Sequence, residues 1–495
     1  MGLEESPRRP AGISVPSRRD RLLRKLTEGI GGPLGAHAAP GRVRPVIFTV
    51  ERVLILMTTT AAVLAILVKA PCRDSGWVRP DQFYRACYSD WTEAFQFQGL
   101  GSGIFPFTEG SPFDGPVLLG ALAGILTLLV PVSAAGVVQT EALVRYFDVN
   151  ALLAVAAWIG TVVATMRLAS RRPWDAALVA VAPIAILTAA SGWTLIPVAF
   201  SVFGLLSFAR NRFMIAGILL GLGTGFSAHL LLAYAAVVLL AVRTGRARPA
   251  IVTGLSLAAT SVLTSLPFGR RWNSAFPWDY DPAALNVTSS LVSGFNLLAG
   301  RVGLQPLSDA AVGITAVVSF LVLTGLVALL VLRAPRRPRL PQVVLLLVGV
   351  LVLVIPNYRP ELTLWLLPFV ALSYVDWRVF LTWQVIEALH WWAFWMVVAR
   401  DASSGAASNN IDNLYYLAAV VARLVVTGFI LYRVAGHILE PDTDPVRRLS
   451  IDDPAGGPFN GAPDRDGAPK RTGDTPVGWN ASSSSPKNPA PKDPQ

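Results

Sequence analysis

VIFTVERVLILMTTTAAVLAILV, residues 46–68, decides the fold class. Apart from Glu51 and Arg52 near its start, the run carries no charge. About 20 such residues, at 1.5 Å each, span the hydrocarbon core of a bilayer as one helix. The run is too long for the apolar part of a cleavable signal and follows a long basic head, so it reads as a retained first span. Similar apolar blocks recur as far as Arg433. The chain is 53% hydrophobic and 15% charged, against roughly 25% charged in soluble domains, and its mean hydropathy is +0.51. In lipid every backbone polar group needs an internal partner, which selects helices. The expected fold is therefore an all-α polytopic membrane protein. The net charge of +11 comes in short clusters between apolar blocks, which is how topology is encoded, so it does not point to nucleic acid.

The order of the chain follows from those clusters. Residues 1–45 hold Arg8, Arg9, Arg18, Arg19, Arg21, Arg24 and Lys25 among Pro and Gly, and read as a basic cytoplasmic head, disordered or amphipathic. With the head inside, the first span puts the loop at 70–115 outside. Further spans are expected near 150–169, 174–190, 194–209, 213–227, 229–242, 249–267, 311–332, 342–356, 361–375, 379–399 and 414–433. Arg167 to Arg172, Arg210 and Arg212, Arg243 to Arg248, and Arg333 to Arg339 then lie inside. The block 117–138, interrupted by Pro131, is read as a re-entrant or interface-lying hairpin, because Arg171 and Arg172 must stay inside; an ordinary span is the alternative. The expectation is about twelve crossings within a domain at 46–435, with a second external loop at 268–310 and both termini cytoplasmic. The tail, 436–495, is dominated past 441 by Asp, Pro, Gly, Ser and Lys, and is expected to be disordered. The place is the cell (plasma) membrane, with the working face extracytoplasmic.

RPDQFYRACYSDW, residues 79–91, is the chemical centre of the first external loop. Cys72 and Cys87, the two cysteines of the chain, both fall in that loop. A disulfide is expected there, outside the reducing compartment, and would be worth roughly 3 kcal/mol for a loop of about 15 residues; two reduced thiols are the alternative. Asp90 and Asp81 are the acid/base candidates, walled by Trp77, Phe83, Tyr84, Tyr88 and Trp91. The plainer reading is that they pair with Arg79 and Arg85 and order the loop. Arg359, at the outer tip of the 342–375 hairpin, and Arg271 in the second external loop suit a lipid phosphate, since a guanidinium takes its oxygens bidentately. Interfacial anchoring is the plainer reading of each. His229 lies at a helix break and is a phosphate or hydroxyl contact, or a satisfied structural histidine. Glu387 and His390 share a helix face, with Arg423 as partner, and read as a structural polar contact. No Walker sequence, dinucleotide fingerprint or Cys/His cluster is present. The acidic pair in Trp278 to Asp281 admits a divalent cation without requiring one.

Several stretches resemble the GT-C superfamily of integral membrane glycosyltransferases, in particular glycosyltransferase family 87. Pro356-Asn357-Tyr358-Arg359-Pro360-Glu361-Leu362-Thr363-Leu364-Trp365-Leu366-Leu367-Pro368 resembles that family's C-terminal hairpin. Gly217 to Gly223, followed by His229, resembles its glycine-rich segment. Arg171 to Asp175 through Gly192-Trp193 resembles the helix leading to its "NWD" turn, and Cys87 to Asp90 with Phe105 to Phe107 resembles the first external loop of actinobacterial members. The likeness runs in order over about 46–435. There are departures: the family lysine falls at Ser227, with His229 the nearest basic residue, and the "NWD" aspartate is Thr194.

The resemblance implies an inverting hexosyl transfer, with mannose as the expected sugar, from a polyprenyl-phosphate carrier to an envelope glycolipid or polysaccharide. It implies Asp90 as general base, Arg359, His229 and Arg271 on the donor phosphate, and Tyr84, Tyr88, Trp91 and Tyr358 around the sugar or acceptor. No metal ligand set is implied. The competing readings are a catalytically degenerate protein that binds sugar lipids, and a lipid or polysaccharide transporter.

Overall fold

The computed structural model describes residues 20, 22–25, 49–131, 139–268, 289–403, 411–447 and 452–464. Among the described residues all regular secondary structure is helical. Five helices are long and apolar enough to cross a membrane: α1 (Val50–Val68), α6 (Thr140–Ala169), α12 (Ala247–Ser265, extended by a 3₁₀ turn to Phe268), α14 (Asp309–Arg333) and α18 (Asn413–Leu439). This is the pattern of a membrane protein. The other apolar blocks form shorter helices: α5 (Val117–Thr127), α9 (Leu195–Ala209), α10 (Phe213–Thr224), α11 (Leu230–Thr244) and α15 (Leu340–Val354). At 11 residues, α5 covers only about 16 Å and cannot cross as a straight helix.

Three expected spans differ from their sequence reading, and the one placed at 361–375 is a 3₁₀ stretch (Pro360–Trp365) followed by a seven-residue helix (Leu367–Ser373). The helix placed at 150–169 begins ten residues earlier, at Thr140. Its polar first turns continue because Tyr146 stacks on Phe95 and Phe147 packs on Trp77 and Trp91. The span placed at 174–190 is broken into a 3₁₀ turn (Pro173–Ala176), α7 (Ala177–Ala180) and α8 (Pro183–Thr188). Pro183 removes a donor and forces the break, and the freed backbone groups find partners. Ile184 N–H donates to Gln384 Oε1 at 3.1 Å, and Trp158 Nε1 donates to the Val179 carbonyl at 2.9 Å. Broken helix at membrane depth is tolerated where protein encloses it in this way.

Between α10 and α12 the packing is backbone-close. A Cβ at Gly221 would lie 2.7 Å from the Leu257 carbonyl oxygen, and one at Gly217 would collide with that of Thr253. Small residues four apart permit this approach where lipid supplies no hydrophobic drive.

The two ends of the bundle are distinct. α1 and α6 run antiparallel: Glu51 pairs with Arg167 at 3.2 Å at one end, while Gly76 meets Thr140 at the other. At the Glu51 end the described tail residues, 441–447 and 452–464, fold back onto the bundle, contrary to the expectation of disorder there. Asp444 takes Arg339 at 2.7 Å, each side chain 1% exposed. Asp452 pairs with Arg337, Arg246 donates to the Pro458 carbonyl, and Phe459 packs on Phe208. The arginines that the tail meets are those of the inter-helix clusters. Their buried guanidinium groups need carboxylate and carbonyl partners, which a composition-based reading of the tail does not supply.

Candidate functional site

At the other end, Cys72 and Cys87 form a disulfide. It joins α2 (Ala70–Ser75) to the turn after α3 (Asp81–Tyr84), and Trp77 Nε1 donates to the Cys87 carbonyl at 3.1 Å. The loop is further held by ion pairs of Arg73 with Asp148 and Arg79 with Glu93. These fix the entry into α4 (Asp90–Phe97), whose first residue is Asp90.

Among the described residues, Asp90 pairs with Arg359 and not with the loop arginines. Its Oδ1 accepts from Arg359 Nη2 at 2.7 Å, across 269 residues. Both side chains are buried, 6% and 2% exposed. The Asp90 N–H donates to the Ser191 carbonyl at 2.7 Å, in the turn between α8 and α9. Gly192 follows, and a Cβ there would stand 2.5 Å from Asp90 Oδ2, so only glycine admits the carboxylate. Lys69, the residue after α1, donates from Nζ to the Tyr88 carbonyl at 2.8 Å and to Ser191 Oγ at 2.9 Å. Burial lowers its ammonium to about 7, with the carboxylates of Glu361 and Asp90 holding it up. Glu361 stands 2.6 Å from Arg359 Nη2. Among the described residues, two cations and two carboxylates thus meet in a buried cluster.

The segment carrying Arg359 is clamped from behind. The Tyr358 and Thr363 hydroxyls lie against each other and each reaches Glu387 Oε2, at 3.2 and 2.9 Å, their two protons shared among these three contacts, and Trp383 Nε1 donates to Oε1 at 3.0 Å. Arg423 lies 3.7 Å over the Tyr358 ring and donates to the Ser289 carbonyl at 3.0 Å. Glu387, His390 and Arg423 therefore meet through Tyr358, whose ring is 5.6 Å from that of His390.

The sequence candidates are distributed unevenly around this cluster. Tyr88 is fully buried against Phe83 and Trp395, with the Arg359 guanidinium 5.9 Å from its ring. Trp91 is buried against Phe147 and Trp193. His229 stacks on Trp365 at 3.9 Å and bonds Ser227 through Nδ1 at 2.8 Å, at the far end of the 3₁₀ segment that follows Arg359. Tyr84 is turned to Ser403, 3.0 Å away. Asp81 is exposed at the start of α3, and among the described contacts it is not brought to the cluster. Arg271 and the acidic pair at 278–281 lie outside the described residues. Among the described residues no three of His, Cys, Asp and Glu converge as a metal centre would require.

Sequence reasoning missed Lys69, Ser191 and Glu361. A lysine closing an apolar run reads as one that snorkels to the surface; only the carboxylates brought by distant segments show that it is buried. No family model matches the chain, and neither does any curated protein.

Proposed function

We propose that the protein is a GT-C-like membrane glycosyltransferase, moving a sugar from a polyprenyl-phosphate carrier to an envelope glycolipid or polysaccharide. In this reading about twelve crossings place both termini in the cytoplasm and the Asp90 cluster on the outer face. One observation carries it: Asp90 of the first loop and Arg359 of the late hairpin, from two of the stretches that carry the family likeness, meet at 2.7 Å.

The chemistry follows from what each group can do. Asp90 takes the proton of an acceptor hydroxyl as that oxygen attacks the anomeric carbon. The bond from that carbon to the phosphate oxygen breaks with inversion, and the polyprenyl phosphate leaves carrying the electron pair. Arg359 stabilises the charge on that phosphate. As the chain stands, Arg359 Nη2 holds Asp90 Oδ1 in place beside the guanidinium that the donor phosphate would meet. His229, on Trp365, is a further contact for the carrier.

A second reading, a protein that binds sugar lipid without transferring it, is favoured by the depth of the ion pair, since both partners are engaged and buried. The two are separated with membranes containing wild type or Asp90→Asn, supplied with radiolabelled polyprenyl-phosphate-mannose and native envelope lipids. Label passing to a new glycolipid with wild type alone is the expected result. Transfer by both rejects Asp90 as the base. Transfer by neither rejects the mannosyl reaction and leaves binding.

A further inference from the structure

The four charges of the cluster are not held alike. Asp90 accepts an aligned hydrogen bond from Arg359. Glu361 comes as close to the same nitrogen, 2.6 Å, yet its Oε1 is buried with no aligned hydrogen bond among the described residues. That oxygen is held by charge without direction, and an unmade hydrogen bond in a buried carboxylate costs free energy. Lys69 is unevenly used too. An ammonium has three protons to donate, and two go to the Tyr88 carbonyl and Ser191 Oγ. The third has no hydrogen-bond partner among the described residues. Asp90 is fixed from three sides, by Arg359, by its own N–H on Ser191 and by the glycine at 192. Glu361 lies in the first turn of the 3₁₀ stretch that Pro360 opens.

We propose that Lys69 and Arg359 form a seat for one phosphate group of a lipid, and that the Glu361 carboxylate is an internal occupant that the ligand displaces. The seat rests on the transferase reading for its class of ligand, an isoprenyl phosphate. A lipid phosphate has unesterified oxygens, two in the sugar-bearing diester and three in the free monoester, to share between the spare Lys69 proton and the guanidinium edge, where Glu361 offers one misaligned oxygen. Displacing Glu361 rather than Asp90 keeps the base in register with the bound donor. It also keeps the buried charge near balance, one anion replacing another, which avoids leaving an unpaired cation in a low-dielectric site.

The test uses full-length protein in detergent and farnesyl phosphate, with farnesol as the uncharged control. An internal competitor lowers apparent affinity by the fraction of time it holds the seat, so Glu361→Gln should bind farnesyl phosphate about tenfold more tightly than wild type. Lys69→Met should bind about tenfold more weakly. Farnesol should bind all three alike. Opposite signs in two near-isosteric variants are not what loss of folding produces, and a melting profile checks each; Glu361→Asp, which shortens the carboxylate, repeats the sign test should Glu361→Gln fail to fold. Unchanged or weaker binding by folded Glu361→Gln overturns the internal occupant, and unchanged binding by Lys69→Met overturns the seat. Displacement of the bound lipid by inorganic phosphate supports a seat that reads phosphate alone, and resistance to it supports one that reads phosphate on a lipid. Sugar transfer is not measured here, so these binding signs and the Asp90→Asn transfer assay fail independently.

Discussion

At the scale of single residues, Lys69 carries the sharpest consequence. Its ammonium lies at about 7 in the fold against 10.5 when free, because burial outweighs the pull of Glu361 and Asp90. The sign follows directly. Between those values the unfolded chain binds more protons than the folded one, so stability rises with pH across that window; below about 7 the buried ammonium is charged in both states and the cost is at its full value. Anion binding runs the other way, since a neutral amine attracts no phosphate. The charged groups facing Lys69 are Glu361, Asp90 and, through them, Arg359. Farnesyl phosphate affinity of wild type, divided by that of Lys69→Arg, should fall about tenfold from pH 6 to pH 8. Arginine stays protonated throughout, so the ratio cancels the ligand's own titration. A flat ratio would show that Lys69 carries its proton across the whole range, or does not meet the ligand.

At the scale of elements, the cytoplasm-type arginines and the tail define a clasp. Asp444 is buried and held below the usual carboxylate range by the Arg339 guanidinium, which also donates to the Leu372 and Ser373 carbonyls at 2.8 and 3.1 Å. One pair thus ties the end of α18 to the start of α15 and to α16 (Leu367–Ser373). Removing one partner of a buried pair leaves the other charged and alone, so Asp444→Ala should destabilise by about 3–5 kcal/mol, read as a lowered thermal midpoint in detergent. Arg145→Ala, on the exposed pair with Glu141, should cost under about 1 kcal/mol and serves as the control. Equal small effects would mean that the tail lies on the bundle without holding it. The clasp was not legible in the sequence: Asp, Pro and Gly signal a chain that cannot build a core, and say nothing of whether it can lie on one. The same limit hid the breaks at 174–190. Apolar character was plain there, but the pieces are set by Pro183 and by Gln384, which lies 200 residues from the N–H it satisfies. What was legible was local: the apolar run at 46–68 became α1 (Val50–Val68), and the cysteine pair in the first loop bonds. Of the site, Asp90 and Arg359 were singled out separately, each for its residue type and place; that they pair is tertiary information.

At the scale of the whole molecule, charge and structure divide the chain into two ends, which makes orientation testable. The arginines that follow apolar blocks gather at one end: Arg167 with Glu51, Arg172 with Asp175 and the Pro445 carbonyl, Arg243 with the Ala334 carbonyl, and Arg337 with Asp452. The disulfide loop, Asp90 and Arg359 gather at the other. Basic residues stay on the cytoplasmic side during insertion, so the first end should face the cytoplasm and the cluster the exterior. Because both native cysteines are bonded to each other, one introduced thiol is the only free one in the chain. Ser102→Cys, exposed in the first loop, should react in intact cells with a maleimide that does not cross membranes; Pro463→Cys, exposed in the clasp, should react only after permeabilisation. The reverse pattern would turn the molecule over and put Asp90 in the cytoplasm. The seat could then still hold an anion, but a lipid-linked sugar presented from outside would not reach it, and the transferase reading in its present form would fall with the orientation. Reaction of both thiols in intact cells would mean that the two ends share a side, which α1 and α6, each of crossing length and with their opposite ends in the two charge groups, do not allow in a bilayer.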